Sequence, residues 1–266
     1  MDRIPANIGL AHLSALDLPP VKLLELAKRV GCASVALRLH SAAPGTPVYP
    51  IAPDSPELFV LKKGIAATGV AVSEVELVPL AAELDVTTLD PLLDVAADLG
   101  ATGMIVTGDI ADRNLLVDRF GTVCDMAQAR GLKVHLEFMK WRHTATIHDA
   151  REVVEGAGRA NGRVLIDLLH LFRSGGTVED VAALSEGLVD LVQVCDATAK
   201  LEGDIIAEAR GGRLVPGDGA LPLSESLAAL PGAPDLALEV PARGTGPAAR
   251  EDFLVRCVSR VRGLLD

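Results

Sequence analysis

Four oxygen-bearing side chains in the second half of the sequence share one feature, since each lies near the end of a short apolar run. They are Glu137 in VHLEFM, Asp167 in VLIDLL, Gln193 in LVQVC and Glu239 in LALEVP. Three carboxylates that converge would raise one another's pKa values unless a cation neutralises them. An all-oxygen ligand set suits Mn²⁺ or Mg²⁺ best, with Co²⁺ and Zn²⁺ as less suited alternatives. We therefore predict one divalent metal ion on these four side chains.

Two further side chains near these positions have types that suit substrate binding or proton transfer. His170 lies three residues after Asp167, where its imidazole can bind substrate or carry a proton to a leaving hydroxyl. Trp141, the only tryptophan, follows Glu137 and can stack on a sugar-like ring or shield the site from water. Each residue also has a purely structural interpretation: His170 as a hydrogen-bonded residue of the fold, and Trp141 as a residue that anchors a loop.

Arginines after the predicted strands are the candidates for contacts with substrate oxygens. Arg173 follows His170 in the same loop, and Arg38 lies in the second apolar run. In the segment EARGGRLVPGDGALPL, Arg210 or Arg213 precedes a PGDG turn and can clamp a carboxylate, phosphate or hydroxyl. We favour Arg210 because it has the better spacing to the turn. Cations are otherwise sparse at these positions, so the sequence does not require a phosphorylated substrate.

Short aliphatic runs alternate with amphipathic stretches along the whole chain and would position these residues. Eight runs have the composition of buried strands: 7–11, 34–39, 70–77, 103–108, 133–139, 163–169, 191–197 and 236–241. The stretches between them show helical spacing, and several end in glycine. This pattern predicts an α/β fold, a single-domain (β/α)8 TIM barrel over residues 1–266. An open doubly wound sheet is the alternative, but the first turn lacks the GxGxxG of dinucleotide-binding folds.

The late motifs resemble the xylose isomerase-like TIM-barrel superfamily, also described as sugar phosphate isomerases and epimerases. Its members carry Glu at the end of strand five, Asp-x-x-His at strand six, His or Gln at strand seven and Glu at strand eight. The matching positions here are Glu137, Asp167 with His170, Gln193 and Glu239. The resemblance implies a divalent-metal-dependent isomerase or epimerase of a sugar or related polyhydroxy carbonyl compound. Such an enzyme abstracts a proton beside a metal-bound carbonyl and forms an enediolate.

Within that chemistry, the resemblance implies a role for each position. Glu137 and Glu239 would act as the acid–base pair and as metal ligands, His170 would assist catalysis, and Asp167 and Gln193 would be ligands only. Gln193 stands where many members have His and resembles the bacterial 3-dehydroshikimate dehydratases of the same superfamily. A metal-dependent dehydratase is therefore the alternative function. Relatives of this barrel commonly pair, which implies a homodimer.

Composition excludes several other classes of function. A net charge of −11 disfavours nucleic acid and anionic membranes as partners, so a small molecule is expected. A DNA-repair enzyme on the same barrel would need more histidine ligands than these six scattered residues offer, while a barrel that binds a sugar without turnover stays open. The four cysteines lack CxxC spacing and predict free thiols. With neither a leader nor an apolar run of about 18 residues, we expect a cytoplasmic protein.

Overall fold

Eight parallel strands form a closed barrel in the computed structural model, which describes residues 8–241 and 246–265. The strands pair in chain order, and β8 closes the ring against β1. They are β1 Ile8–Leu10, β2 Ser34–Arg38, β3 Ala71–Ala81, β4 Gly103–Asp109, β5 Lys133–Glu137, β6 Gly162–Asp167, β7 Leu191–Val194 and β8 Asp235–Leu238. The predicted (β/α)8 TIM barrel is confirmed as a single domain. The predicted start of the first strand at Asn7 and end of the last helix at Asp266 lie outside the described residues.

Helices follow the strands and surround the barrel. They are α1 Pro20–Val30, α2 Pro56–Thr68, α3 Asp90–Asp98, α4 Arg113–Gln128, α5 Ile147–Ala157, α6 Leu168–Arg173, α7 Val178–Ala182, α8 Ile205–Gly211, α9 Leu223–Ala229 and α10 Pro247–Gly263. Local sequence sets their ends: Thr146 and Thr177 begin α5 and α7 with capping boxes, and Gly31 ends α1 in the left-handed region. The ends of these three helices therefore follow from ordinary capping chemistry.

Six of the eight strands end one to three residues earlier than their apolar pattern predicts, and β3 runs four residues further, to Ala81. Local contacts explain two of the early ends, those of the strands predicted over 163–169 and 191–197. β6 ends at Asp167 because its carboxylate accepts a hydrogen bond from the backbone N–H of His170 (3.0 Å) and thereby caps α6. β7 ends at Val194 because the chain beyond it forms an antiparallel bridge between Asp196 and Leu214. Both departures lie at the carboxyl ends of strands, where the chain leaves the barrel to build the mouth.

A layer of apolar side chains fills the middle of the barrel. It consists of Leu77, Ile105, Met139, Leu165, Leu191 and Ala237. Buried polar residues lie on either side of this layer, at the mouth and at the amino-terminal end of the strands. The four cysteines are buried as free thiols, as predicted. In the part of the chain that the structure describes, no helix is both long and apolar enough to cross a membrane.

An ion cluster closes the amino-terminal end of the barrel. His135 belongs to this cluster and contacts Asp190 through Nε2 (2.6 Å) and Glu74 through Nδ1 (3.1 Å). Asp190 also pairs with Lys133 and with Arg163 Nε (3.3 Å). Burial by itself would lower the pKa of His135, but the charges of Glu74 and Asp190 raise it to about 9.

We expect the Asp190→Asn variant to lose about 2 to 3 kcal/mol of unfolding free energy at pH 7, because three cations lose their shared carboxylate. Burial opposes ionisation of Asp190, but hydrogen bonds from His135 and Lys133 hold its pKa well below the ordinary value. The folded-state pKa is thus the lower one, so this stabilisation is present above the unfolded pKa of about 3.9 and is lost as the pH falls below it.

Urea unfolding of wild type and variant between pH 7 and pH 3 measures this contribution. The gap between the two proteins should narrow below pH 4, and a gap that stays constant would contradict the assignment. Asp125→Asn is a matched control, since this carboxylate pairs with Arg159 on the surface with 58% of its side chain exposed. That control should change the free energy of unfolding by no more than about 0.5 kcal/mol.

Candidate metal centre and active site

Adjacent strands bring the four predicted metal ligands to the carboxyl end of the barrel. Glu137 is the last residue of β5, Asp167 is the last of β6 and lies opposite Gln193 of β7, and Glu239 directly follows β8. All four are at most 4% exposed. Three carboxylates and an amide are therefore buried in one half of the barrel mouth, which is the arrangement that the sequence pattern predicts.

A fifth side chain, Arg213, bridges two of these carboxylates. Its Nη1 lies 2.5 Å from Asp167 Oδ2, and its Nη2 lies 2.9 Å from Glu239 Oε2. The spacing to the PGDG turn favours Arg210 in this segment, but Arg210 is exposed at the rim whereas Arg213 is buried among the carboxylates. Two glycines separate the two arginines, and spacing alone does not determine which one turns inward.

Gln193 has an acceptor that no donor satisfies. Its Nε2 donates to Glu239 Oε1 (3.2 Å), while its Oε1 is buried without a hydrogen-bond partner in the described part of the chain. A buried carbonyl oxygen without a donor is costly unless it meets an electrophile. This orphaned oxygen beside three carboxylates fits a cation at the centre.

His170 lies close to two of the proposed ligands, Glu137 and Asp167. One ligand atom each from Glu137, Asp167 and His170 lies within 4.8 Å of the others, and His170 Nε2 is 3.6 Å from Glu137 Oε1. The ring of Trp141 contacts the His170 ring edge-on at a centroid distance of 5.1 Å. Burial lowers the pKa of His170 to about 4, so the imidazole is neutral at pH 7.

The electrostatics of the mouth also favour a cation. Burial, together with Asp167, raises the pKa of Glu137 to about 8, and burial raises that of Glu239 well above its usual range despite Arg213. Burial opposes ionisation of Asp167 too, but Arg213 holds its pKa well below the ordinary value. These three carboxyls and the nearby Glu76 are buried together with the guanidiniums of Arg38 and Arg213. If all four carboxyls were ionised, the group would carry a net charge of two negative units. A divalent ion would balance them.

The mouth opens into a cavity of about 480 Å³. Its lining includes Glu137, Gln193 and Glu239, and an apolar wall formed by Leu77 and Ile105. Contrary to the expectation of sparse cations, five arginines line it: Arg38, Arg142, Arg210, Arg213 and Arg250. Barrel closure explains the difference, because these residues come from distant parts of the chain.

The predicted substrate-binding residues occupy different positions around the cavity. Arg38, Trp141, His170 and Arg210 line it. Arg38 is 6% exposed, and its guanidinium donates from Nη2 to Glu76 Oε1 (3.1 Å), while its buried Nε has no partner among the described residues. Arg173 does not line the cavity. Its guanidinium contacts both carboxylate oxygens of Glu208 (2.7 Å each) and the carbonyl of Thr198 (2.7 Å).

Asp196, which no sequence pattern singles out, organises the loop that carries Arg213. This carboxylate is 1% exposed and accepts hydrogen bonds from four backbone N–H groups. The donors are Ala197 (2.8 Å), Gly217 (2.8 Å), Gly219 (3.0 Å) and Leu221 (3.1 Å). The available signal was an aspartate two residues after β7, followed by the PGDG segment, but three of the four contacts span 21 to 25 residues and no periodicity predicts them.

Comparison with known proteins identifies the family of this fold. The family profile described as xylose isomerase-like TIM barrel matches residues 24–254. A curated 3-dehydroshikimate dehydratase of Pseudomonas aeruginosa is 28% identical over 141 residues, which cover 51% of this chain and 22% of that protein. The match thus spans less than a quarter of the relative's length.

Solved structures share the fold at low sequence identity. A xylose isomerase-like TIM barrel/4-hydroxyphenylpyruvate dioxygenase fusion protein superposes with a TM-score of 0.80 at 20% identity, over 97% of this chain and 42% of that one. The IOLI protein with a bound zinc atom has a TM-score of 0.79 at 18% identity, over 97% and 98%. A D-psicose 3-epimerase has a TM-score of 0.72 at 14% identity, over 97% and 99%. These likenesses show the barrel alone.

Proposed function

The chain belongs to the xylose isomerase-like TIM-barrel family, and we propose that it is a metal-dependent dehydratase of a small hydroxy carbonyl compound. In this proposal Glu137, Asp167, Gln193 and Glu239 hold one divalent ion, with Mn²⁺ or Mg²⁺ best suited to the oxygen ligands. When bound, such an ion polarises the substrate carbonyl and acidifies the neighbouring C–H. The substrate occupies the mouth cavity between this centre and the apolar wall.

The different environments of Glu137 and Glu239 carry this proposal. Glu239 is fixed by Arg213 and Gln193, whereas Glu137 has no hydrogen bond in the described part of the chain and contacts only His170 in an ion-pair geometry. One carboxylate without a hydrogen-bond partner, beside a neutral histidine, supports a single-base elimination better than an exchange between two bases. The dehydratase relative and the amide at position 193 point in the same direction.

Glu137 and His170 together account for the proton transfers of this elimination. Glu137 removes the proton from the carbon next to the carbonyl, and the neighbouring C–O bond breaks as the double bond forms. The proton passes from Glu137 to His170, 3.6 Å away, and on to the departing hydroxyl, which leaves as water. Both side chains return to their starting states. Trp141, packed against His170, limits the access of bulk water to this pair.

An isomerase or epimerase is the second candidate. It is supported by the fact that Glu137 and Glu239 both line the cavity, so both can face a bound substrate. The barrel is also similar to that of D-psicose 3-epimerase. In this reaction Glu239 would have to return a proton while it remains bound to Arg213.

An assay with two kinds of substrate separates the candidates. The metal-loaded protein should convert 3-dehydroshikimate with loss of water to an aromatic product that absorbs in the near ultraviolet. Ketoses incubated in D₂O and followed by NMR should show no isomer. Ketose isomerisation without any change of the 3-dehydroshikimate spectrum would overturn the dehydratase proposal in favour of the second candidate. The Glu137→Gln variant serves as the control for both reactions.

A further inference from the structure

Arg213 is fixed in place by all three nitrogens of its guanidinium. Nη1 contacts Asp167, Nη2 contacts Glu239, and Nε donates to the carbonyl oxygen of Ala209 (2.8 Å). Its side chain is only 1% exposed. A planar guanidinium can hold two carboxylates at a set angle and separation, which a lysine ammonium cannot do.

Backbone hydrogen bonds hold the loop that carries Arg213 in place. The backbone of Asp196 forms the antiparallel bridge with Leu214, the residue that follows Arg213. The Asp196 carboxylate accepts hydrogen bonds from backbone N–H groups beyond the turn, such as that of Gly217. Gly219 has no room for a side chain, since a Cβ there would lie 2.3 Å from Asp196 Oδ1. The backbone on which Arg213 sits is therefore tied to the end of β7, beside Gln193.

We propose that Arg213 is a positioning residue for the metal centre, which presets Asp167 and Glu239 in the orientation that binds the ion. This inference rests on the metal centre of the proposed function. Each carboxylate oxygen that Arg213 contacts keeps a further lone pair, so the guanidinium and an ion can use the same carboxylates together. Without Arg213, Asp167 keeps its bond from the His170 N–H and Glu239 keeps its bond from the Gln193 amide, but no guanidinium holds the two carboxylates at a fixed separation.

A second buried pair in the chain provides a matched control. Arg173 and Glu208 are each 8% exposed and form two hydrogen bonds of 2.7 Å, but neither residue contacts the four proposed ligands. Removing this guanidinium should destabilise the fold to a similar degree. A merely structural role for Arg213 would make the two substitutions equivalent in metal binding.

The test is the Kd of Mn²⁺, measured by isothermal titration calorimetry on chelator-treated protein. We expect Arg213→Met to raise the Kd about 10- to 100-fold, as loss of a group that orients metal ligands does. Arg213→Lys keeps the charge but not the fork and should raise the Kd less. Arg173→Met should leave it within about twofold of wild type.

Either of two results would overturn the inference while the metal centre stands: Arg213→Met binding Mn²⁺ as tightly as wild type, or Arg173→Met weakening it equally. If wild type itself binds no Mn²⁺, the metal centre and the inference fail together. Should Arg213→Met not fold, the comparison of Arg213→Lys with wild type decides, and an unchanged Kd would then count against the role of Arg213.

Discussion

Replacing Glu137 by Gln should lower kcat about 10²- to 10⁴-fold, the range expected for loss of a positioned general base. The amide has nearly the same shape as the carboxylate but cannot accept a proton from carbon. Thermal stability without metal should stay equal or rise, because burial already raises the pKa of Glu137 to about 8 and the variant no longer buries an ionisable group. Steady-state kinetics on the compound that the two-substrate assay shows to be converted, with a thermal melt of each protein, measure both effects.

Glu208→Gln is the matched control for this variant. Glu208 is also buried, but its partner is Arg173 and it lies outside the cavity lining. Loss of the Glu208 carboxylate should lower the free energy of unfolding while kcat stays within a few-fold of wild type. This is the opposite of the effects expected for Glu137→Gln. A Glu137→Gln enzyme that retains more than a tenth of wild-type kcat would show that another group abstracts the proton.

Removing the metal should abolish turnover, and substituting Glu239 should abolish the response to metal. Wild-type protein stripped with a chelator should regain activity with Mn²⁺ or Mg²⁺. At a free ion concentration of about 100 times Kd, binding contributes about 2.7 kcal/mol of stability. For a chain of this size that corresponds to a rise in Tm of roughly 5 to 10 °C. Glu239→Gln, which removes one of the three charged ligands, should show a much smaller rise.

Differential scanning calorimetry with and without Mn²⁺ measures this difference, and metal analysis of the purified proteins gives the stoichiometry. The expected stoichiometry is about one ion per chain. Equal Tm shifts in wild type and Glu239→Gln would mean that the ion binds elsewhere. In that case the orphaned oxygen of Gln193 would need another partner.

The barrel and four positions of the candidate site could be predicted because both depend on regular patterns. Strands in a closed parallel barrel all end at the same face, so a polar residue late in each apolar run identifies the mouth without knowledge of any contact. Glu137, Asp167, Gln193 and Glu239 meet this condition, and the structure places all four at the carboxyl ends of their strands. Their role as metal ligands stays a prediction.

The remaining features depend on contacts between distant residues or on competition between local interactions. Arg213 is directed inward by a loop tied to Asp196, and the choice between Arg213 and Arg210 is made by that loop rather than by spacing. The end of β6 was misplaced because Asp167 prefers to cap α6 over continuing the apolar run. Arginines gather at the mouth because Arg38 and Arg250 meet there only when the barrel closes.

The apolar layer in the middle of the barrel separates two parts of the molecule that evolution can change independently. Below it, His135, Asp190 and their partners stabilise the closed ring, and above it lie the cavity and its loops. Since this layer places hydrocarbon between the two charged groups, an exchanged mouth loop need not disturb the ion cluster beneath it. The same barrel can therefore support different reactions. Substitutions in the mouth that favour a new substrate need not lower the free energy of unfolding that the ion cluster contributes.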